Sequence, residues 1–260
     1  VVSRPPHGMC PAGFLPSSPA LGVWPRRPPL PATTLPPTDF PEPLRLRTDF
    51  IGPVYELPEA VLAMESLIQV MAGNLHGRVL QGEISGLSPD GEVVVSGQTL
   101  RAQLIIFTAG TGNEFALELL HINERHAQRR ALRQIMVRPL PYRLFGHGIV
   151  ASPRPRLTVT SHACGNGEYV WYLGGAVAEQ GAKLDDRSAL AHAKNELKDI
   201  FPQIDWDQKE WATWHVDRAE PYNDRGSLPA GPFVEQHDHV LIAWPTKLTF
   251  APALADRILQ

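Results

Sequence analysis

The sequence predicts a mixed α/β chain in two parts, and three observations carry that prediction. Leu104, Ile105, Ile106 and Phe107 form an apolar run closed by Ala109, Gly110, Thr111 and Gly112. The helical run Glu114 to Leu120 follows, so the stretch reads as buried strand, tight turn and helix. Between about Arg133 and Asp217 the strand-like runs are rich in β-branched and aromatic residues and are joined by a hairpin signal, which predicts an antiparallel sheet. From His239 the pattern returns to strand, turn and helix.

Composition narrows the function classes. With 260 residues, 43% of them hydrophobic, the chain has ample material for a core. Twenty-four basic residues are scattered among 27 acidic ones, giving a net charge of -3, so there is no electrostatic case for nucleic acid or an anionic membrane. No apolar run is long enough to span a bilayer. Two cysteines, Cys10 and Cys164, are too few for a disulfide framework or a thiolate zinc site, and no metal is expected. A reducing, cytoplasmic setting is the expectation.

Residues 1–50 are proline-rich, as in Arg26 to Pro31, and lack helical or strand periodicity. They read as a disordered linker or as sequence foreign to the fold, with a proline-motif ligand as the sharper alternative. Order is expected from Leu57. Pro58 suits a first helical turn, and Val61, Met64, Ile68, Met71 and Leu75 share one face, with the methionines as core filler. Three strands follow, Arg78 to Leu87, Glu92 to Val95 and Leu100 to Phe107. The turns Pro89-Asp90-Gly91 and Ser96-Gly97-Gln98 are short enough to force antiparallel hairpins.

In the second part, Arg133 to Arg138, Arg156 to Ala163 and Glu168 to Leu173 read as strands, with Gly165-Asn166-Gly167 joining the last two. Asp185 or Asp186 caps a helix whose Leu190, Ala193, Leu197 and Ile200 share a face, and Pro202 ends it. Glu210 to Asp217 is a further strand. His239 to Trp244 then leads through Pro245, Thr246 and Lys247 to a helix that tolerates Pro252 in its first turn.

Two places suit an anion or a polar ring edge. The first is Thr108 to Gly112, where Gly110 and Gly112 can take positive φ and let backbone N–H groups approach a ligand. A turn that needs glycine only for its shape is the competing reading. The second is the start of the last helix beside Lys247.

With these pieces in order, the chain from about Leu57 to its end resembles the FAD-dependent oxidoreductases of the D-amino-acid oxidase, glycine oxidase and glycerol-3-phosphate dehydrogenase type. Four stretches carry the resemblance: the meander with Leu104 to Asn113, Tyr169 to Gly175, Asp217 to Pro221, and Val240 to Leu248. The resemblance implies that residues 51–125 and 218–260 belong to a Rossmann-like FAD-binding domain and residues 126–217 to a substrate domain. It implies FAD as cofactor, held at Thr108, Ala109, Gly110, Thr111, Gly112, Pro245, Thr246, Lys247 and Leu248. A small polar substrate, an amino acid, amine or hydroxy compound, would give up a hydride.

Lys247 and the adjacent helix start are candidates to stabilise charge on the reduced flavin, though a lysine in a solvated loop reads the same way. Arg218 is a candidate for a substrate carboxylate or phosphate, or for pairing with Glu220 or Asp217. His147 and His162 are candidate bases or ordinary structural histidines. Of Trp171 and Tyr172, on opposite faces of one strand, one packs in the core and the other is left to face a substrate.

One departure stands against these matches: no Gly-x-Gly-x-x-Gly occurs anywhere in the chain. Such a turn would hold the FAD pyrophosphate on a helix N-terminus. The expectations are therefore an N-terminally incomplete sequence, and weak or absent FAD binding by this chain alone. An S-adenosylmethionine-dependent methyltransferase and a cofactor-free remnant are the competing readings. A meander before the glycine turn, rather than a helix, speaks against the methyltransferase. Oxygen and a membrane quinone are both open as electron acceptor.

Overall fold

The computed structural model describes residues 33–46, 53–57, 61–122, 126–150, 155–224 and 231–260, and the backbone alone of 2–3 and 10–11. Pro58 and the run Arg26 to Pro31 lie outside the described residues. In chain order, strands β1 (Thr33–Leu35) and β2 (Val54–Glu56) precede helix α1 (Met64–Gly73). The meander follows as β3 (Ile84–Leu87), β4 (Glu92–Val95) and β5 (Gln98–Arg101). Then come β6 (Ile105–Phe107) and α2 (Asn113–Leu119).

The sheet-rich middle holds β7 (Ala127–Leu140), β8 (Phe145–Gly148), β9 (Leu157–Gly165) and β10 (Glu168–Gly174). Helices α3 (Ala176–Gly181) and α4 (Asp186–Ile200) and strand β11 (Glu210–Pro221) complete it. The chain closes with β12 (Phe233–His237), β13 (Val240–Trp244) and α5 (Ala251–Ile258).

These elements form two units, one of residues 1–74 and 131–216, the other of residues 75–130 and 217–260. The first is built on a sheet ordered β8-β9-β10-β7-β11. Alternation sends Ile135, Val137, Leu157, Val159, Trp171 and Leu173 to one face, where they meet Ala193 and Leu197 of α4 and the rings of Phe201 and Trp206. Helix α4 begins where the sequence predicts. Asp185 is its cap and accepts the Ser188 N–H at 2.8 Å, a bond that holds the Asp185 carboxyl below the usual carboxylate range. Leu190, Ala193, Leu197 and Ile200 face the core as the spacing requires.

Leu35 and Leu44, within the stretch whose composition suggests no packing, are buried in this same core together with Val54. Proline sets the local backbone there, but an isolated leucine still gains by leaving water when a sheet offers it an apolar surface.

In the second unit the meander is antiparallel in the register the turns demand, with Val93 opposite Leu100 and Val94 opposite Thr99. The long run expected from Leu100 is two strands, because the chain leaves β5 at Ala102 and starts β6 beside β13. Arg78 to Leu87 is a strand only from Ile84. The second sheet is ordered β12-β13-β6, with β13 antiparallel to β12 and parallel to β6. Phe107, Val240, Ile242 and Trp244 pack with Ala116 and Leu117 of α2.

Two apolar expectations fail. The face of α1 is not core: Met64, Ile68, Met71 and Leu75 are exposed, as are Val79 and Leu80. Likewise the run Leu104 to Phe107 is not buried throughout, since Leu104, just before β6, and Ile106 within it are exposed while Phe107 is buried. In both places the sequence pattern supplies an apolar face, but no element among the described residues covers it.

Candidate functional site

The parallel pairing of β6 with β13, with Phe107 opposite Ile242, brings the carboxyl ends of the two strands to one edge. The turn after β6, Thr108 to Gly112, and the turn after β13, Pro245 to Leu248, therefore leave the sheet side by side. Ligands of open α/β sheets bind at such an edge, because the strands end there and backbone groups are left unpaired.

Thr108, Ala109, Gly110 and Thr111 are exposed. Gly110 takes φ +63°, a conformation strained for any other residue, and nothing lies within 4 Å of where its Cβ would be. Gly112 instead has φ −70° and opens α2, so only the first glycine of the pair is needed for its conformation. In the other turn Thr246 takes φ +63° without being glycine, and its Oγ1 lies 3.0 Å from the Gly231 carbonyl. A 3₁₀ turn, Leu248 to Phe250, runs into α5 with Pro252 in its first turn and no side-chain cap from Lys247. Lys247 is exposed and its Nζ lies 5.6 Å from the centre of the Phe250 ring.

Asn113 ties the first of these turns to the end of β13, from which the second departs, and the sequence alone assigns it no role. Fully buried, it accepts the Ala109 N–H at 2.8 Å and donates to the Ala243 carbonyl at 3.0 Å. In sequence it is an unremarkable residue at a helix start; only the pairing of β6 with β13 gives it a second partner. Trp244 was also missed. It is buried with its indole N–H lacking a hydrogen-bond acceptor among the described residues.

Arg218 is half-buried near the end of β11. The acids beside it are engaged by other arginines. Glu220 accepts from Arg130 Nε and, at 2.6 Å, from its terminal nitrogen, and Asp217 lies 3.9 Å from Arg129, which also holds Glu114.

The remaining candidates are on the sheet of the first unit. His147 Nδ1 lies 3.0 Å from Thr158 Oγ1 across the β8–β9 pair. The Trp171 and Tyr172 alternative is resolved: Trp171 is buried in the core, and Tyr172 stands on the opposite face between His162, 4.4 Å away, and Trp214, 6.5 Å away.

His162 is exposed at this face, but its ring packs beside Tyr172, and the partial desolvation disfavours the charged imidazole and holds it below the ordinary histidine range. The unfolded chain then binds this proton more readily than the folded one. Its contribution to stability is present at neutral pH and declines as pH falls through the ordinary histidine range toward the folded value. His162→Gln is expected to flatten that dependence. The Tm of the variant should fall less than that of the parent between about pH 7.5 and 5, and equal slopes in calorimetry would contradict the assignment.

No family model matches the chain. Its sequence is 39% identical over 226 residues to a probable FAD-dependent oxidoreductase of Pseudomonas aeruginosa, a match that covers 85% of this chain and 58% of that protein. The crystal structure of an FAD-dependent oxidoreductase from Pseudomonas aeruginosa superposes with a TM-score of 0.78 at 37% identity, over 87% of this chain and 64% of the other. Iminodiacetate oxidase from Chelativorans sp. BNC1 gives a TM-score of 0.60 at 15% identity, over 87% of this chain and 62% of the other. Glycine oxidase from Geobacillus kaustophilus gives 0.54 at 15% identity, over 87% and 63%, and these two likenesses speak to the fold alone. The chain thus spans less than two thirds of the length of each of these proteins. No helix among the described residues is long and apolar enough to cross a membrane. Over the stretch that it shares with the Pseudomonas aeruginosa protein, the chain is similar in both sequence and fold to an FAD-dependent oxidoreductase.

Proposed function

We propose that this chain acts in the FAD-dependent oxidation of a C–H bond in a small polar substrate, an amino acid, amine or hydroxy compound, in a cytoplasmic setting. The observation that carries the reading is the shared carboxyl edge of β6 and β13, where Thr108 to Gly112 and Pro245 to Leu248 lie together. The residues fit the ring end of the cofactor: an open glycine turn, a helix start without a side-chain cap, and a cation beside it. They do not supply a place for the pyrophosphate, since the chain holds no Gly-x-Gly-x-x-Gly.

When bound, flavin supplies the hydride-accepting chemistry, and the protein contributes position and charge. Backbone amides at Gly110 and Thr111 are the proposed contacts of one side of the ring. Lys247 and the amides that open the 3₁₀ turn at Leu248 would stabilise negative charge on a bound flavin, as a helix N-terminus does. Arg218 is the proposed partner of an anionic substrate group, with its planar fork suited to a carboxylate. On the sheet of the first unit, His147 and Tyr172 are the proposed donors to the substrate.

A ring-only site has a distinctive consequence. FAD and riboflavin are expected to bind the purified 260-residue chain with similarly weak affinity, and Lys247→Glu is expected to weaken both. Flavin fluorescence quenching measures this. Absence of quenching by either compound up to about millimolar concentration would remove the flavin reading. Much tighter binding of FAD than riboflavin would show a pyrophosphate site and overturn the ring-only assignment.

A further inference from the structure

Two turns that must meet one planar ring from different strands need a fixed separation, and a single side chain links the first turn to the strand that leads into the second. Asn113 is fully buried. Its Oδ1 accepts from Ala109, the residue before Gly110, at 2.8 Å, and its Nδ2 donates to the carbonyl of Ala243, two residues before Pro245, at 3.0 Å. The residues joined by the second bond are 130 positions apart in sequence. One group must accept on one side and donate on the other, and the carboxamide of asparagine does both at this short reach. Aspartate keeps the acceptor and loses the donor, and serine is too short to span both. Both contacts are to backbone, so the bond pair ties the first turn to the last residues of β13, from which the second turn departs, rather than fixing the rotamer of another side chain.

We propose that Asn113 is a positioning residue that sets the separation of the Thr108 to Gly112 and Pro245 to Leu248 turns, so that a flavin ring held by one meets the other. This rests on the flavin reading above. A role confined to its own turn and helix start would need only the bond to Ala109, which Asn113→Asp preserves. A positioning role needs the bond to Ala243, which the same variant removes.

The test compares parent, Asn113→Asp and Asn113→Ala by amide hydrogen exchange and by riboflavin titration of the purified chain. In Asn113→Asp, Ala109 should keep its protection while the amides of 246–249 exchange about tenfold faster and riboflavin affinity falls about tenfold. In Asn113→Ala both turns should exchange faster. Parent-like exchange at 246–249 in Asn113→Asp overturns the proposal. If that variant loses its far-ultraviolet circular dichroism, Asn113→Ser, neutral and unable to reach Ala243, is read by the same criteria. Faster exchange at 246–249 in a protein whose parent does not quench riboflavin leaves the coupling of the turns in place and removes the flavin reading instead.

Discussion

Replacing Glu220 by alanine is expected to lower stability by about 3–5 kcal/mol, the range for breaking a buried ion pair by removing one partner. The Glu220 side chain is 1% exposed and that of Arg130 is 17% exposed, and the guanidinium grips the carboxylate through two nitrogens at 3.1 and 2.6 Å. Alanine takes the carboxylate away from a charge that water reaches poorly. Glu220→Gln, which keeps an acceptor and the shape, should cost less than the alanine variant. Arg138 and Glu210 make the useful contrast. Their side chains are 59% and 68% exposed, so Glu210→Ala should cost about 1 kcal/mol or less, as solvent screening predicts. Urea unfolding followed by tryptophan fluorescence measures all three. A Glu220→Ala loss no larger than that of Glu210→Ala would show that the pair is not insulated from solvent.

The second large effect belongs to adjacent residues on one strand. Trp171→Ala is expected to cost about 3–5 kcal/mol, from lost burial and the cavity left behind. Its indole is buried against Phe201 and Trp206, with ring centres 5.5 and 6.0 Å away, and its N–H donates to the Tyr142 carbonyl at 2.8 Å. That variant also leaves the Tyr142 carbonyl without its donor. Tyr172→Ala, one position on but half-buried on the other face, should cost less, about 1–2 kcal/mol, the scale of its lost ring contacts with His162 and Trp214. Comparable losses at the two positions would mean that the outward face of the sheet is packed as tightly as the inward one.

Most of the local structure was legible. Asp185 caps its helix because a short acceptor before an apolar-periodic run has few better uses, and Gly165-Asn166-Gly167 turns its hairpin because those residues adopt positive φ with little or no strain. The meander register followed from turn length. The strands Phe145–Gly148 and Phe233–His237 were not foreseen, since neither alternates clearly and each is a strand because of the neighbour it pairs with. The apolar face of α1 shows the opposite error. Met64, Ile68 and Met71 share a face of the helix, while Val61 lies in a strand before it and Leu75 beyond its end, and periodicity says which residues share a face and not what covers it.

The same division runs through the candidate site. The sequence by itself determined the two turns, Thr108 to Gly112 and Pro245 to Leu248, and the helix start beside Lys247, because glycine, proline and apolar period act over a few residues. Only the tertiary structure decided that β6 and β13 are parallel neighbours, that Asn113 ties their ends together, and that Trp171 rather than Tyr172 enters the core. Those outcomes depend on which strand lies beside which and which face is covered, and such long-range pairings leave no periodic trace in the chain.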